Sequence, residues 1–130
     1  MTEVLISLSP HDWELIQSGE KTIVAYKTKP EQKNGYFSTF RVIVFLADGS
    51  GVVGKFDVNK MINTIRPESL ARGCCRTEEE IIELSAEDGL CGWCIKENSV
   101  LCYETPFDLE YATGLKEPPE TWAYLHRENT

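Results

Sequence analysis

A cation, a hydroxyl and a ring fall close together near the start of this sequence: Lys21, Thr22 and Tyr26, followed by Lys27 and Lys29. A ring flanked by cations suits a nucleobase and its phosphates together, because the ring stacks while the ammonium groups displace counterions. A lysine beside a threonine also has the group types of an amide-cleaving pair, provided that the amine's pKa is lowered and a carboxylate shuttles the proton. Glu97 and Glu104 are candidates for that carboxylate, and spacing singles out neither. A solvated lysine next to a structural threonine is the simpler reading, so no residue is assigned a catalytic role.

Trp93 and Trp122 also fall on expected strands. On a single-strand binder such rings stack bases, whereas in most small barrels they fill the core. Cys91-Gly92-Trp93-Cys94 has the spacing of half a zinc site, with Cys74, Cys75 and Cys102 as completions. Zinc needs four converging ligands. Residues three apart on a regular strand face opposite sides, so Cys91 and Cys94 should diverge, and free thiols without metal are expected. His11 and His126, the only histidines, have no serine or cysteine arrangement around them that reads as a triad. No glycine-rich phosphate loop or dinucleotide fingerprint is present, so no cofactor is expected.

These residues sit in a chain of 130, enough for one domain with one hydrophobic core and too few for two of ordinary size. With 42% hydrophobic and 26% charged residues its usage is that of a globular protein. The expectation is a single domain over residues 1–130 with its core at about 3–125. The first residues show no signal-peptide pattern, and no apolar run approaches the roughly 18 residues of a membrane span. A soluble, cytoplasmic protein follows, with its five cysteines reduced rather than paired. The net charge of −8 speaks against nonspecific nucleic-acid affinity. That total hides a segregation: residues 1–20 sum to −4, residues 21–76 to +6 and residues 77–130 to −10. A basic middle between acidic ends can present a local positive surface, although solvated charges on unrelated faces give the same sums.

The elements that must position the candidates can be read in order. Residues 4–8 form a short buried strand, and Ser9-Pro10 caps and opens a helix over 10–18, with Trp13, Ile16 and Leu15 as its apolar face and Gly19 as its stop. Residues 21–28 are a second strand ended by Pro30, followed by a loop over 31–38. Residues 40–46 and 52–58 flank Asp48-Gly49-Ser50-Gly51 as a hairpin. Residues 59–76 have no clear period and read as a long connection. Thr77 to Glu80 resembles a capping box that opens a second helix. Residues 92–95 and 99–103 form a strand pair around Glu97-Asn98, and residues 121–125 a last strand. The sum is an α+β, β-rich chain, a barrel or strongly curved sheet of about six strands with two or three short flanking helices.

Leu5-Ile6-Ser7-Leu8-Ser9-Pro10, then Ser18-Gly19-Glu20-Lys21-Thr22 and Lys27-Thr28-Lys29-Pro30, resemble the opening of ASCH domain proteins, especially small phage and prophage-type ones. Gly51-Val52-Val53-Gly54-Lys55-Phe56, Gly92-Trp93 and Pro118-Pro119-Glu120-Thr121-Trp122-Ala123-Tyr124 follow in the family's order, so the resemblance spans about residues 3–125. It implies a PUA-like β-barrel with a helix-flanked cleft, in a superfamily whose members commonly bind RNA or single-stranded nucleic acid. Some small relatives are amidohydrolases of an acylated cytidine that use a lysine, a threonine and a glutamate. The family strand after the turn usually carries a glutamate and, two residues on, an arginine. Here Val24 and Tyr26 stand in those places.

The leading expectation is therefore a module that binds RNA, single-stranded nucleic acid or a nucleotide, rather than an enzyme, although enzymatic activity stays open, and it touches nucleic acid through Lys21, Thr22, Tyr26, Lys27, Trp93 and Trp122. The alternatives are a small amidohydrolase in the same cleft, and an acidic protein whose C-terminal half engages a basic protein partner by mimicking nucleic acid. No membrane partner is expected.

Overall fold

The computed structural model describes residues 2–26, 39–64, 66–85 and 90–125. The first strand, β1 (Glu3–Leu8), is apolar at successive positions, and the sheet explains why. Val4, Ile6 and Leu8 face one cluster of buried side chains while Leu5 faces another, so both sides of the strand are covered. β1 runs parallel to β3 (Phe40–Leu46) and antiparallel to β7 (Trp122–Tyr124).

Helix α1 (Pro10–Ser18) has the expected limits and the expected reasons for them. The Ser9 hydroxyl accepts from the Asp12 amide at 3.1 Å, Pro10 opens the first turn, and Gly19 ends it in the left-handed region at φ 85°. Its apolar side, Trp13 and Ile16, is buried against the sheet. The hairpin of β3 and β4 (Gly51–Thr64) turns where Gly49 and Gly51 adopt φ of 90° and 124°, with the Asp48 carboxylate accepting from the Ser50 amide at 2.8 Å.

Residues 59–76 are not the loop that their lack of period suggests. β4 continues to Thr64, a 3-10 turn covers Pro67–Leu70, and a short α2 covers Ala71–Cys74. A register shift between Val58 and Lys60 hides the strand from an alternation test, because a bulge moves every later side chain to the other face. A second correction concerns residues 92–95 and 99–103, which lie in β5 (Leu90–Ile95) and β6 (Leu101–Phe107). Among the described residues the two do not pair with each other. They lie end to end along the same side of β4, with β6 against Val52–Lys55 and β5 against Val58–Thr64. β5 also pairs with β2 (Ile23–Tyr26) on its other side.

The sheet order is β2-β5-β4-β3-β1-β7, with β6 beside β4, which makes seven strands in a curled half-barrel. Trp93 on β5 and Trp122 on the far edge strand β7 come within 5.8 Å between ring centroids, so the curl nearly brings the edges together. Helix α3 (Glu78–Ser85) opens on a reciprocal capping box: the Thr77 amide donates to Glu80 and the Glu80 amide to Thr77 Oγ1, both at 3.1 Å. Helix α4 (Leu109–Thr113), capped by Asp108 and Gly114, was not expected, because five residues carry no readable period. No helix among the described residues is long and apolar enough to cross a membrane.

Candidate functional site

Three chain segments are stitched together at the C-terminal end of α1. Beyond Gly19, the Lys21 amide returns to the Leu15 carbonyl at 3.0 Å, so the helix end itself sets where Lys21 begins. The Thr22 amide donates to Gly73 O, and Thr22 O accepts from Ile95 N, each at 2.9 Å. The Cys75 thiol donates to the Glu20 carbonyl at 3.2 Å. Cys75 holds φ at 56°, a left-handed turn that ends α2 and sends Arg76 back toward α1.

The result is a cleft of about 200 Å3 lined by Leu8, Asp12, Lys21, Val24, Ala25, Tyr26, Cys74, Arg76 and Ile81. Lys21 is the one buried charged residue among those described, 5% exposed, and its Nζ donates to the Cys74 carbonyl at 2.7 Å. Burial lowers its pKa from the ordinary value of 10.5, and the Asp12 carboxylate only partly offsets this. Arg76 Nη2 donates to Asp12 Oδ2 at 3.1 Å, and its other nitrogen lies 3.8 Å from Glu80. Tyr26 is half-buried against Trp93, with ring centroids 4.7 Å apart. Burial, reinforced by Asp12, pushes its phenol pKa upward, so the ring is a neutral face at physiological pH.

Of the residues expected to touch nucleic acid, the cleft brings together Lys21 and Tyr26. Thr22 is exposed and is not in the lining, because the residue after Lys21 faces the other way. Trp93 is fully buried at 0% exposure, tilted against Tyr26 and edge-on to Phe40 and Trp122, so it supports the Tyr26 ring from behind and offers no face to a ligand. Trp122 is half-buried between Trp93 and Tyr124. Lys27 and Lys29 lie outside the described residues. Val24 and Tyr26 both line the cleft and give it an apolar, aromatic floor.

Two polar members were missed. Asp12 reads in sequence as a first-turn helix acid and Arg76 as the end of a loop, and only the fold joins them across 64 positions. Glu97 and Glu104, the carboxylates considered for catalysis, are exposed residues of the β5–β6 turn and β6, and neither lines the cleft. Asp12 is the carboxylate that does.

Cys91 is buried in the core and Cys94 is half-exposed. Burial pushes the thiols of Cys74 and Cys94 up, opposite to what a nucleophile or metal ligand requires. Among the described residues no three His, Cys, Asp or Glu side chains are grouped to hold a metal.

No family model matches the chain, and no curated protein matches it in sequence. Solved structures do resemble it. The ASCH protein of Zymomonas mobilis superimposes with a TM-score of 0.73 at 17% identity, covering 97% of this chain and 89% of that one. A serine-to-alanine variant of the same protein gives 0.74 at 18% identity, with the same coverage. A tyrosine-to-phenylalanine variant gives 0.74 at 18%, covering 98% of this chain and 93% of that one. With nearly the whole of both chains aligned, the curled half-barrel and its helical covers are those of the ASCH domain, and this chain has the ASCH, PUA-like fold.

Proposed function

We propose that this chain is an RNA-binding module that takes a single strand and seats one nucleotide in the cleft. The carrying observation is that the Tyr26 ring and the Lys21 amine share one small cleft, with Arg76 on its exposed side. The ring stacks on a base, and the two cations meet the flanking phosphates. A cleft of about 200 Å3 admits a flipped-out base and excludes a duplex. Asp12 holds Arg76 in place and at the same time cancels part of its charge, so the positive surface is small and affinity rests on stacking as much as on charge.

A second reading is favoured by one specific observation. A buried amine with a lowered pKa beside a carboxylate is also the arrangement of an amide hydrolase, with Lys21 as base or nucleophile and Asp12 in the place expected of a glutamate. The two readings respond to pH with opposite sign. Phosphate binding needs the charged amine, so RNA affinity should fall as pH rises through the pKa of Lys21, which burial places below the ordinary 10.5. Hydrolysis needs the neutral amine, so turnover of an acylated cytidine should rise over that same window. Measuring both from pH 6 to pH 10 on the wild-type protein and on Lys21→Met decides between them. Affinity that declines in the wild type and is flat in Lys21→Met supports RNA binding. A turnover rate that climbs in the wild type and vanishes in Lys21→Met supports the hydrolase instead.

A further inference from the structure

On the opposite face of β3 from the cleft, between β6 and α4, lies a larger groove of about 450 Å3 lined by Ile43, Val52, Tyr103, Phe107, Tyr111 and Ala112. Three of these residues form a continuous run of rings. Tyr103 and Phe107 meet edge-on with centroids 5.3 Å apart, and Phe107 and Tyr111 lie nearly parallel at 6.4 Å. Phe107 is 42% exposed and Tyr111 is 82% exposed. Single exposed rings are ordinary, but rings in contact around an apolar floor mark a contact surface.

The exposure is built in. Leu109 and Ala112 turn the inner side of α4 into the protein, which leaves Tyr111 on its outer side. Asp108 Oδ2 accepts from the Tyr111 amide at 3.1 Å, and Gly114 closes the helix with a 2.8 Å bond to Glu110 O, so both ends of this short helix are tied down. The segment that carries the rings is mostly acidic, although Lys55 stands in register with Ile43 on the same face of the sheet. Residues 101–125 carry Glu104, Asp108, Glu110, Glu117 and Glu120 against the single base Lys116.

We propose that this groove binds an extended, positively charged segment of a partner protein, whose lysine or arginine side chains lie on the rings of Tyr103, Phe107 and Tyr111. Charge complementarity selects that occupant. Aromatic faces attract cations through the ring quadrupole, and carboxylates beside them deepen the attraction. A polyanion would be repelled by the same acids, so the groove is the electrostatic opposite of the cleft. A second copy of this chain would bring one acidic patch against another, at a net charge of −8 on each molecule. The extended shape follows from β6, which among the described residues pairs with β4 alone and runs along the groove's rim. The proposal is independent of what the cleft binds.

The test uses a labelled ten-residue peptide of alternating arginine and valine, with a glutamate–valine peptide of equal length beside it, titrated into the whole chain at physiological salt. The cationic peptide should bind and the acidic one should not. Tyr111→Ala should weaken binding by about fivefold to thirtyfold, and Tyr111→Phe should restore it, because the ring face is retained. Tyr111 is almost wholly exposed, so an unchanged melting temperature accompanies the loss. Equal binding by the wild type and Tyr111→Ala would mean diffuse attraction to an acidic protein and would overturn the proposal. Sedimentation showing a dimer that Tyr111→Ala dissolves would overturn it too, with the second copy as occupant.

Discussion

Trp13→Ala should lower the free energy of unfolding by about 3–5 kcal/mol, the usual cost of deleting a large buried ring. The ring is 4% exposed and joins α1 to the inside of the sheet. A nine-residue helix has little stability of its own, so α1 is helical because Trp13 and Ile16 are buried. Its loss would reach the cleft as well, since Asp12 and the turn that places Lys21 both hang from this helix. Urea unfolding of the variant measures the effect. A loss under about 1 kcal/mol would show that the ring contributes little to the core.

Gly54→Ala should be comparably severe, by a different route. A Cβ at this position would lie 2.5 Å from Trp13 Cζ2 and closer still to the carbonyl oxygen of Leu101. The ring can shift, but the carbonyl belongs to β6, which is paired to this stretch of β4 and has little room to retreat. Overpacking of a tight core costs about 1–3 kcal/mol, and a clash with paired backbone belongs at the upper end. The two substitutions touch one contact, so their effects should not add. In the double variant the ring's half of the clash is gone, and the combined loss should be smaller than the sum of the single losses. Strict additivity would place Trp13 and Gly54 in separate, uncoupled sites.

What the sequence discloses follows from the range of the interactions involved. Helix α1, the β3–β4 turn and the Thr77–Glu80 box are decided within a few residues, by a hydroxyl cap, by glycines at positive φ and by a capping pair. All three can be read directly. The far end of β4 cannot, because the bulge at Val58/Lys60 breaks its alternation and its partner, β5, lies about thirty residues ahead. The cleft divides in the same way. Lys21 and Tyr26 stand out because a cation and a ring lie close in sequence, while Asp12 and Arg76 meet only when α1 and the end of α2 are folded together. Trp93 shows the limit of residue type as a guide: an aromatic side chain suits stacking on a base and filling a core equally well, and burial alone decides for the core.

The claim that the cleft holds single-stranded RNA is tested most directly by the salt dependence of binding to a labelled single-stranded RNA, with single-stranded and duplex DNA alongside. The two cations of the cleft predict contact with one or two phosphates, hence a slope of log affinity against log salt of about −0.7 to −1.4. Tyr26→Ala should weaken binding by about 1–3 kcal/mol at every salt concentration without changing that slope, since a stacked ring releases no counterions. Lys21→Met should flatten the slope by about 0.7. Single-stranded RNA bound with this shallow slope, and duplex left unbound, is the result that the cleft geometry predicts. No binding of single-stranded RNA even at low salt, or binding that is untouched by Lys21→Met and Tyr26→Ala, would contradict it.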